Sequence, residues 1–200
     1  MSTTENTILG LKLPTDPRWA NLASISLEEI LTDHAYCEQK AASNCISLIQ
    51  KYPEYTKLVE ELAPIVTEEW GHFRMVLSEI KKRKLRLGPQ RKDTYVNALM
   101  DHVVKGGRPE LRFLDRLLVF ALIEARSCER FRLLSEGLED VYFKEFYRKF
   151  MISEAGHYRL FLDLAKEYCD ELVVMNRWQE WLQIEKNILA TIEVRGDRMH

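Results

Sequence analysis

The chain has no apolar run approaching the roughly 18 residues of a membrane span, so no crossing segment is expected. Its start, Met1-Ser-Thr-Thr-Glu5, lacks a basic stretch followed by an apolar one, so no secretory signal is expected. None of its four cysteines forms a Cys-x-x-Cys pair. Cys37 and Cys45 fall on one presumed helix about 12 Å apart along its axis, too far for a disulfide. Reduced, mostly buried thiols and a cytoplasmic location are expected. Period-two alternation, valine-rich strand runs and glycine-rich phosphate loops are missing, which argues against a sheet-based nucleotide fold. No flavin, nicotinamide or iron–sulfur motif is present, so any redox chemistry needs electrons from a separate donor protein. What remains is ordinary: 200 residues, 46% hydrophobic and 30% charged, the profile of one soluble domain.

Against that background one phrase occurs twice. Residues 69–74 read Glu-Trp-Gly-His-Phe-Arg and residues 154–159 read Glu-Ala-Gly-His-Tyr-Arg. Each copy sets a carboxylate and an imidazole at i and i+3, on one face of a helix. Two such pairs supply part of a two-metal carboxylate site, which needs one further glutamate from each of two other helices. Glu38 and Glu124 precede the two phrases by 31 and 30 residues, in the related contexts Ala35-Tyr-Cys-Glu38 and Ala121-Leu-Ile-Glu124. Both occupy positions where helical spacing calls for apolar residues. A bare carboxylate there must be protonated, paired or metal-bound. A buried ion pair with Lys40, Arg126 or Arg130 is the alternative explanation. Glu129 competes with Glu124, but Glu129 and Arg130 read as a polar face. His34, one turn before Glu38, reads as a supporting or packing residue. Gly71 and Gly156 suggest close helix approach, since a helical glycine costs about 1 kcal/mol relative to alanine.

The pattern predicts an all-α, ferritin-like four-helix bundle with a long crossover and extra short helices, in a single domain over 1–200. Residues 1–25 read as an extended arm with Pro14 and Pro17. Long helices are expected at about Leu27–Gln50, Pro53–Lys84 (kinked or restarted at Pro64), Glu110–Ser135 and Leu138–Lys166. Ser26 is the candidate cap of the first and Gly137 the stop of the third. A short helix at Thr94–Lys105 falls within the crossover from 85 to 109, and a last one covers Asn176–Ile192. Residues 193–200 read as a frayed tail.

The net charge of −2 says little, but its distribution is uneven. Lys81 to Arg116 holds eleven basic and four acidic residues. The densest part contains Lys81, Lys82, Arg83, Lys84, Arg86, Arg91 and Lys92. It is either a solvated helix C-terminus or a surface for a polyanion.

Four glutamates and two histidines suit iron or manganese better than zinc. The expected roles are Glu69 and Glu154 bridging two metals, Glu38 and Glu124 terminal, and His72 and His157 one to each metal. Each histidine should present its other ring nitrogen to a fixed partner.

The two Glu-x-Gly-His phrases, the run Tyr95-Val-Asn-Ala-Leu99 and the longer run Leu117-Leu-Val-Phe-Ala-Leu-Ile-Glu-Ala-Arg-Ser-Cys-Glu-Arg-Phe131 closely resemble the MiaE family over about residues 20–190. These are tRNA 2-methylthio-N6-isopentenyladenosine hydroxylases. The resemblance implies O2-dependent hydroxylation of the isopentenyl group beside the anticodon, with two non-haem irons, O2 as co-substrate and an external electron donor. It carries the metal ligands onto Glu38, Glu69, His72, Glu124, Glu154 and His157. It also gives Lys81, Lys82, Arg83, Lys84, Arg86, Arg91 and Lys92 a purpose as part of a tRNA surface. The competing readings are a ferroxidase or iron-handling protein, a peroxide-handling manganese protein, and a non-enzymatic helical module.

Overall fold

The computed structural model describes residues 8–200 and has seven helices and no strands among them. The chain forms two compact units. One comprises Asn21–Lys92 and Arg195–Met199; the other comprises the segment up to Ala20, Asp93–Val194 and His200.

The Asn21–Lys92 unit is a helical hairpin. Helix α2 (Leu27–Lys51) opens with Glu28 and Glu29, which favour the positive end of the helix dipole. Ser26 precedes it, but its side chain makes no capping bond. Ile30, Leu31, His34, Ala35, Glu38, Ala42, Cys45 and Leu48 form the buried stripe, so the helical spacing resolves to Ala42 rather than Ala41. Helix α3 (Thr56–Lys82) runs through Pro64 as one element instead of restarting there. Pro64 is exposed, so water can satisfy the carbonyl that its missing N–H leaves free.

In the other unit, α4 (Thr94–His102) is capped by Asp93, which accepts from Val96 N. Helix α5 (Pro109–Gly137) pairs with α6 (Val141–Tyr168), and α7 (Glu171–Leu189) packs against α5, α4 and α6. Asp140 and Asp170 cap α6 and α7. Phe131, Phe143, Phe146, Tyr147 and Phe150 form a continuous ring cluster between α5 and α6.

Several expectations are corrected. Residues 1–7 of the expected arm lie outside the described residues, and α1 (Arg18–Ile25) occupies its end. It forms because Trp19 is fully buried with the Arg130 guanidinium 4.6 Å from its ring centre. The tail is not frayed: Met199 N donates to Asp33 Oδ2 at 2.8 Å, and Met199 and His200 are buried. Gly137 ends α5 from within. Glu129 and Arg130 are buried rather than solvated. Arg126 binds Glu129 and Glu185, with Thr15 and the Leu13 carbonyl completing its contacts. Three formal charges are thereby enclosed and hydrogen-bonded, which makes their burial tolerable. No described helix is long and apolar enough to cross a membrane.

Candidate metal centre

Each unit contains its own half of the predicted ligand set. In the α2–α3 hairpin, one ligand atom from each of Glu38, Glu69 and His72 lies within 4.8 Å of the other two. His72 Nδ1 is 3.4 Å from both Glu38 Oε2 and Glu69 Oε2. Glu69 and His72 meet because they are three residues apart on α3. Glu38 joins them from the buried stripe of α2. Its neighbour His34, fully buried, places Nε2 2.8 Å from Glu38 Oε1.

The α5–α6 hairpin repeats the arrangement. Glu124, Glu154 and His157 also bring ligand atoms within 4.8 Å of one another. His157 Nδ1 is 3.8 Å from Glu154 Oε2. All three are buried. Glu154 Oε1 has no hydrogen-bond partner among the described residues. An unsatisfied buried carboxylate oxygen is costly, and a cation is the natural occupant of such a position.

Sequence reasoning could not name what faces the second nitrogen of each histidine. The structure puts Glu68 Oε1 3.9 Å from His72 Nε2 and Ser153 Oγ 3.5 Å from His157 Nε2. Both lie four residues earlier on the same helix, one turn back, with Ser153 at the edge of hydrogen-bond range and Glu68 beyond it.

The electrostatics point the same way. Burial alone would lower the His72 pKa, but the carboxylates of Glu38 and Glu69 outweigh it and hold the ring up at about 10. The pair of carboxylates thus demands a positive charge, which a proton supplies and a metal ion can replace. Within each hairpin the donor set is oxygen-rich with one imidazole, which fits iron or manganese rather than a thiolate-bound zinc. Nearby, Cys128 donates to Met151 O at 3.3 Å. Burial, with Glu154 adding to it, pushes this thiol up to about 12, so it stays protonated beside the carboxylates.

The close approach expected at Gly71 and Gly156 is absent: a Cβ built at either position meets no atom within 4 Å. The crowded glycine is Gly196, where a Cβ would lie 2.2 Å from the Leu22 carbonyl carbon.

The basic segment is partly exposed and partly committed. Lys81, Lys82, Lys84, Arg86 and Lys92 are exposed, and Arg83 is half-buried. Lys82 pairs with Glu79 at 2.6 Å. Arg91 is anchored instead, by the Asp197 carboxylate at 2.9 Å and by the Glu29 and Asp197 carbonyls. Gly88 N donates to Thr32 Oγ1 and Tyr36 donates to the Gly88 carbonyl, which fix the same segment on α2.

Residues 2–200 match the model of the family described as tRNA-(MS[2]IO[6]A)-hydroxylase (MiaE). The chain belongs to the MiaE family. A Pseudomonas putida relative, named tRNA 2-(methylsulfanyl)-N(6)-isopentenyladenosine(37) hydroxylase, is 38% identical over 161 residues, covering 80% of this chain and 77% of its own. A Salmonella typhimurium relative of the same name is 26% identical, with the same coverage. A solved Synechococcus structure, titled as a protein with aldehyde deformylating oxygenase activity, is 35% identical with a TM-score of 0.90, over 96% of both chains. That likeness establishes the ferritin-like fold class for this MiaE-family chain.

Proposed function

We propose that this protein hydroxylates the isopentenyl group of 2-methylthio-N6-isopentenyladenosine beside the anticodon of tRNA. The observation that carries the reading is the matched pair of Glu/Glu/His groups, buried except for the half-buried His72, in a chain that fits the MiaE family throughout. The relatives named as tRNA hydroxylases supply the substrate class.

In this reading Glu38, Glu69, His72, Glu124, Glu154 and His157 would together hold two irons. Glu69 and Glu154 would serve as bridging ligands, Glu38 and Glu124 as terminal ones, and each histidine would bind one ion. The four carboxylates offset the charge of two divalent cations, so the assembly is affordable in a dry interior. Bound ferrous iron supplies the O2-dependent chemistry that places an oxygen atom on an unactivated carbon. The chain's own residues do the rest. Glu68 and Ser153 face the outer nitrogens of the two imidazoles, and His34 backs Glu38. Exposed Lys81, Lys84, Arg86 and Lys92 meet tRNA phosphates, with Lys82 and Arg83 beside them. Arg91 serves that surface by pinning the segment in place. A separate cytoplasmic protein delivers the electrons.

The test is direct. The protein is loaded anaerobically with ferrous iron, then given O2, a reductant and tRNA carrying the methylthio-isopentenyl base. Digestion and mass spectrometry should find a nucleoside heavier by one oxygen atom. An unchanged nucleoside alongside iron oxidation would favour the ferroxidase reading instead. Because the Synechococcus neighbour acts on aldehydes, a long-chain aldehyde is run in parallel. Turnover of the aldehyde alone would overturn the tRNA assignment.

A further inference from the structure

The repeated phrase diverges immediately after its first glutamate: Trp70 in one copy, Ala155 in the other. Trp70 is 47% exposed, whereas Trp19, Trp178 and Trp181 are 0%, 9% and 0% exposed. A bare indole midway along α3, directly after the proposed ligand Glu69, has no packing reason to be there. Its ring sits against Phe73, with centroids 4.8 Å apart and a tilt of 33°, which limits its rotation.

The face that carries Trp70 is informative. Ala63, Val66, Trp70, Arg74, Leu77 and Lys81 recur at helical spacing on α3 and are exposed or half-buried. No carboxylate interrupts that stripe. Arg74 lies one turn beyond Trp70 and Lys81 about 16 Å along the axis. Beside the indole, the space over Gly71 is open, with no atom within 4 Å of a Cβ built there. Alanine there would favour the helix by about 1 kcal/mol, so the glycine leaves room that the protein itself does not fill.

An aromatic ring backed by spaced cations is how proteins hold unpaired RNA: bases stack on the ring and phosphates meet the charges. We propose that Trp70 is a stacking platform for a splayed base of the tRNA anticodon loop, with Arg74 and Lys81 taking the adjoining phosphates. This rests on the tRNA reading above and adds to it a base-contacting residue one position from a proposed iron ligand. The absence of carboxylates from the stripe favours RNA over a basic or neutral protein surface.

The probe is an anticodon stem-loop RNA bearing isopentenyladenosine, added to the full-length iron-loaded protein. Because the other three tryptophans are buried, binding should quench the exposed indole's emission and shield it from acrylamide. A blunt RNA duplex of equal charge should do neither. Trp70→Ala should weaken stem-loop binding about ten- to a hundred-fold, and Trp70→Phe should restore most of the loss. Arg74→Ala with Lys81→Ala should lower the salt slope of binding by about 1.4. Melting followed by circular dichroism identifies any variant that fails to fold, and the fluorescence of the wild-type protein then decides alone. Tight stem-loop binding without quenching or shielding overturns the inference and leaves the hydroxylase reading standing. Wild-type protein that binds neither tRNA nor stem-loop overturns the reading itself. Unchanged RNA affinity in Trp70→Ala, with slower reduction by a protein donor, would make this face a protein-docking surface and sink the proposal.

Discussion

His34 Nε2 lies 2.8 Å from Glu38 Oε1, one turn away on α2 and fully buried. The contact fixes the orientation of a proposed terminal ligand from behind. Replacing His34 with alanine should therefore weaken iron binding about 10- to 100-fold while leaving the helical circular dichroism intact. Competition with a chromophoric chelator measures it; an unchanged affinity would reduce His34 to a packing residue.

The proposed ligand roles differ in what their loss should do. Glu69→Ala or Glu154→Ala removes a bridge and should cut bound iron from two equivalents to well below one. His72→Ala or His157→Ala should retain about one equivalent, since each imidazole serves a single ion. Metal analysis after gel filtration separates the two patterns. Equal loss in all four variants would refute the bridging assignment.

Exposed Lys81, Lys84 and Lys92 should contribute to tRNA affinity without reading sequence. Changing all three to glutamine should reduce the slope of log affinity against log salt by about two to three. Filter binding across a salt series reports it. A slope that stays put would make the segment a solvated helix end.

Arg126 is enclosed with Glu129 and Glu185. Arg126→Met leaves two buried carboxylates without their counter-charge and should cost about 3–5 kcal/mol. Urea denaturation gives the number, and a loss below about 1 kcal/mol would mean the network is dispensable.

Asp197 gathers Arg195, Arg198 and Arg91. Hydrogen bonds from Arg195, with charge from Arg198 and Arg91, hold its carboxyl down to about 2 from an ordinary 3.8. A carboxyl lowered in the folded state adds stability above its unfolded pKa and loses it as pH falls toward 2. The stability gap between wild type and Asp197→Asn should therefore be constant above about pH 5 and shrink between pH 4 and 2. Because Asp197 is half-buried but its partner Arg195 is exposed, the gap should be about 1 kcal/mol at most. A gap that widens on acidification contradicts the assignment.

The two ligand phrases were legible in the sequence because each Glu/His pair is a local, same-helix event. The long helices were legible for the same reason, through their apolar stripes and terminal glycines and prolines. What escaped was non-local. Nothing near Glu129 reveals that distant Thr15 satisfies it or that its neighbour Arg126 also reaches Glu185, so it resembled a surface residue. Prolines 14 and 17 concealed α1, whose stability comes from burying Trp19 with Arg130. Gly196 looked like part of a loose end, yet it alone fits against Leu22. Ser153 and Glu68 could have been found: each sits four residues before a histidine or its equivalent position in the repeat. The signal is weak by itself, because such spacing is common on any polar helix.

Residues 52–55 join α2 to α3, and residues 138–140 join α5 to α6. Links this short cost little chain entropy to close, and helical hairpins rich in local contacts form quickly. During synthesis the first hairpin would gather Glu38, Glu69 and His72 well before the second set of donors leaves the ribosome. If these side chains hold iron as proposed, the nascent chain would carry half of the ligand set early, and the order of iron delivery relative to translation would bear on how this enzyme matures.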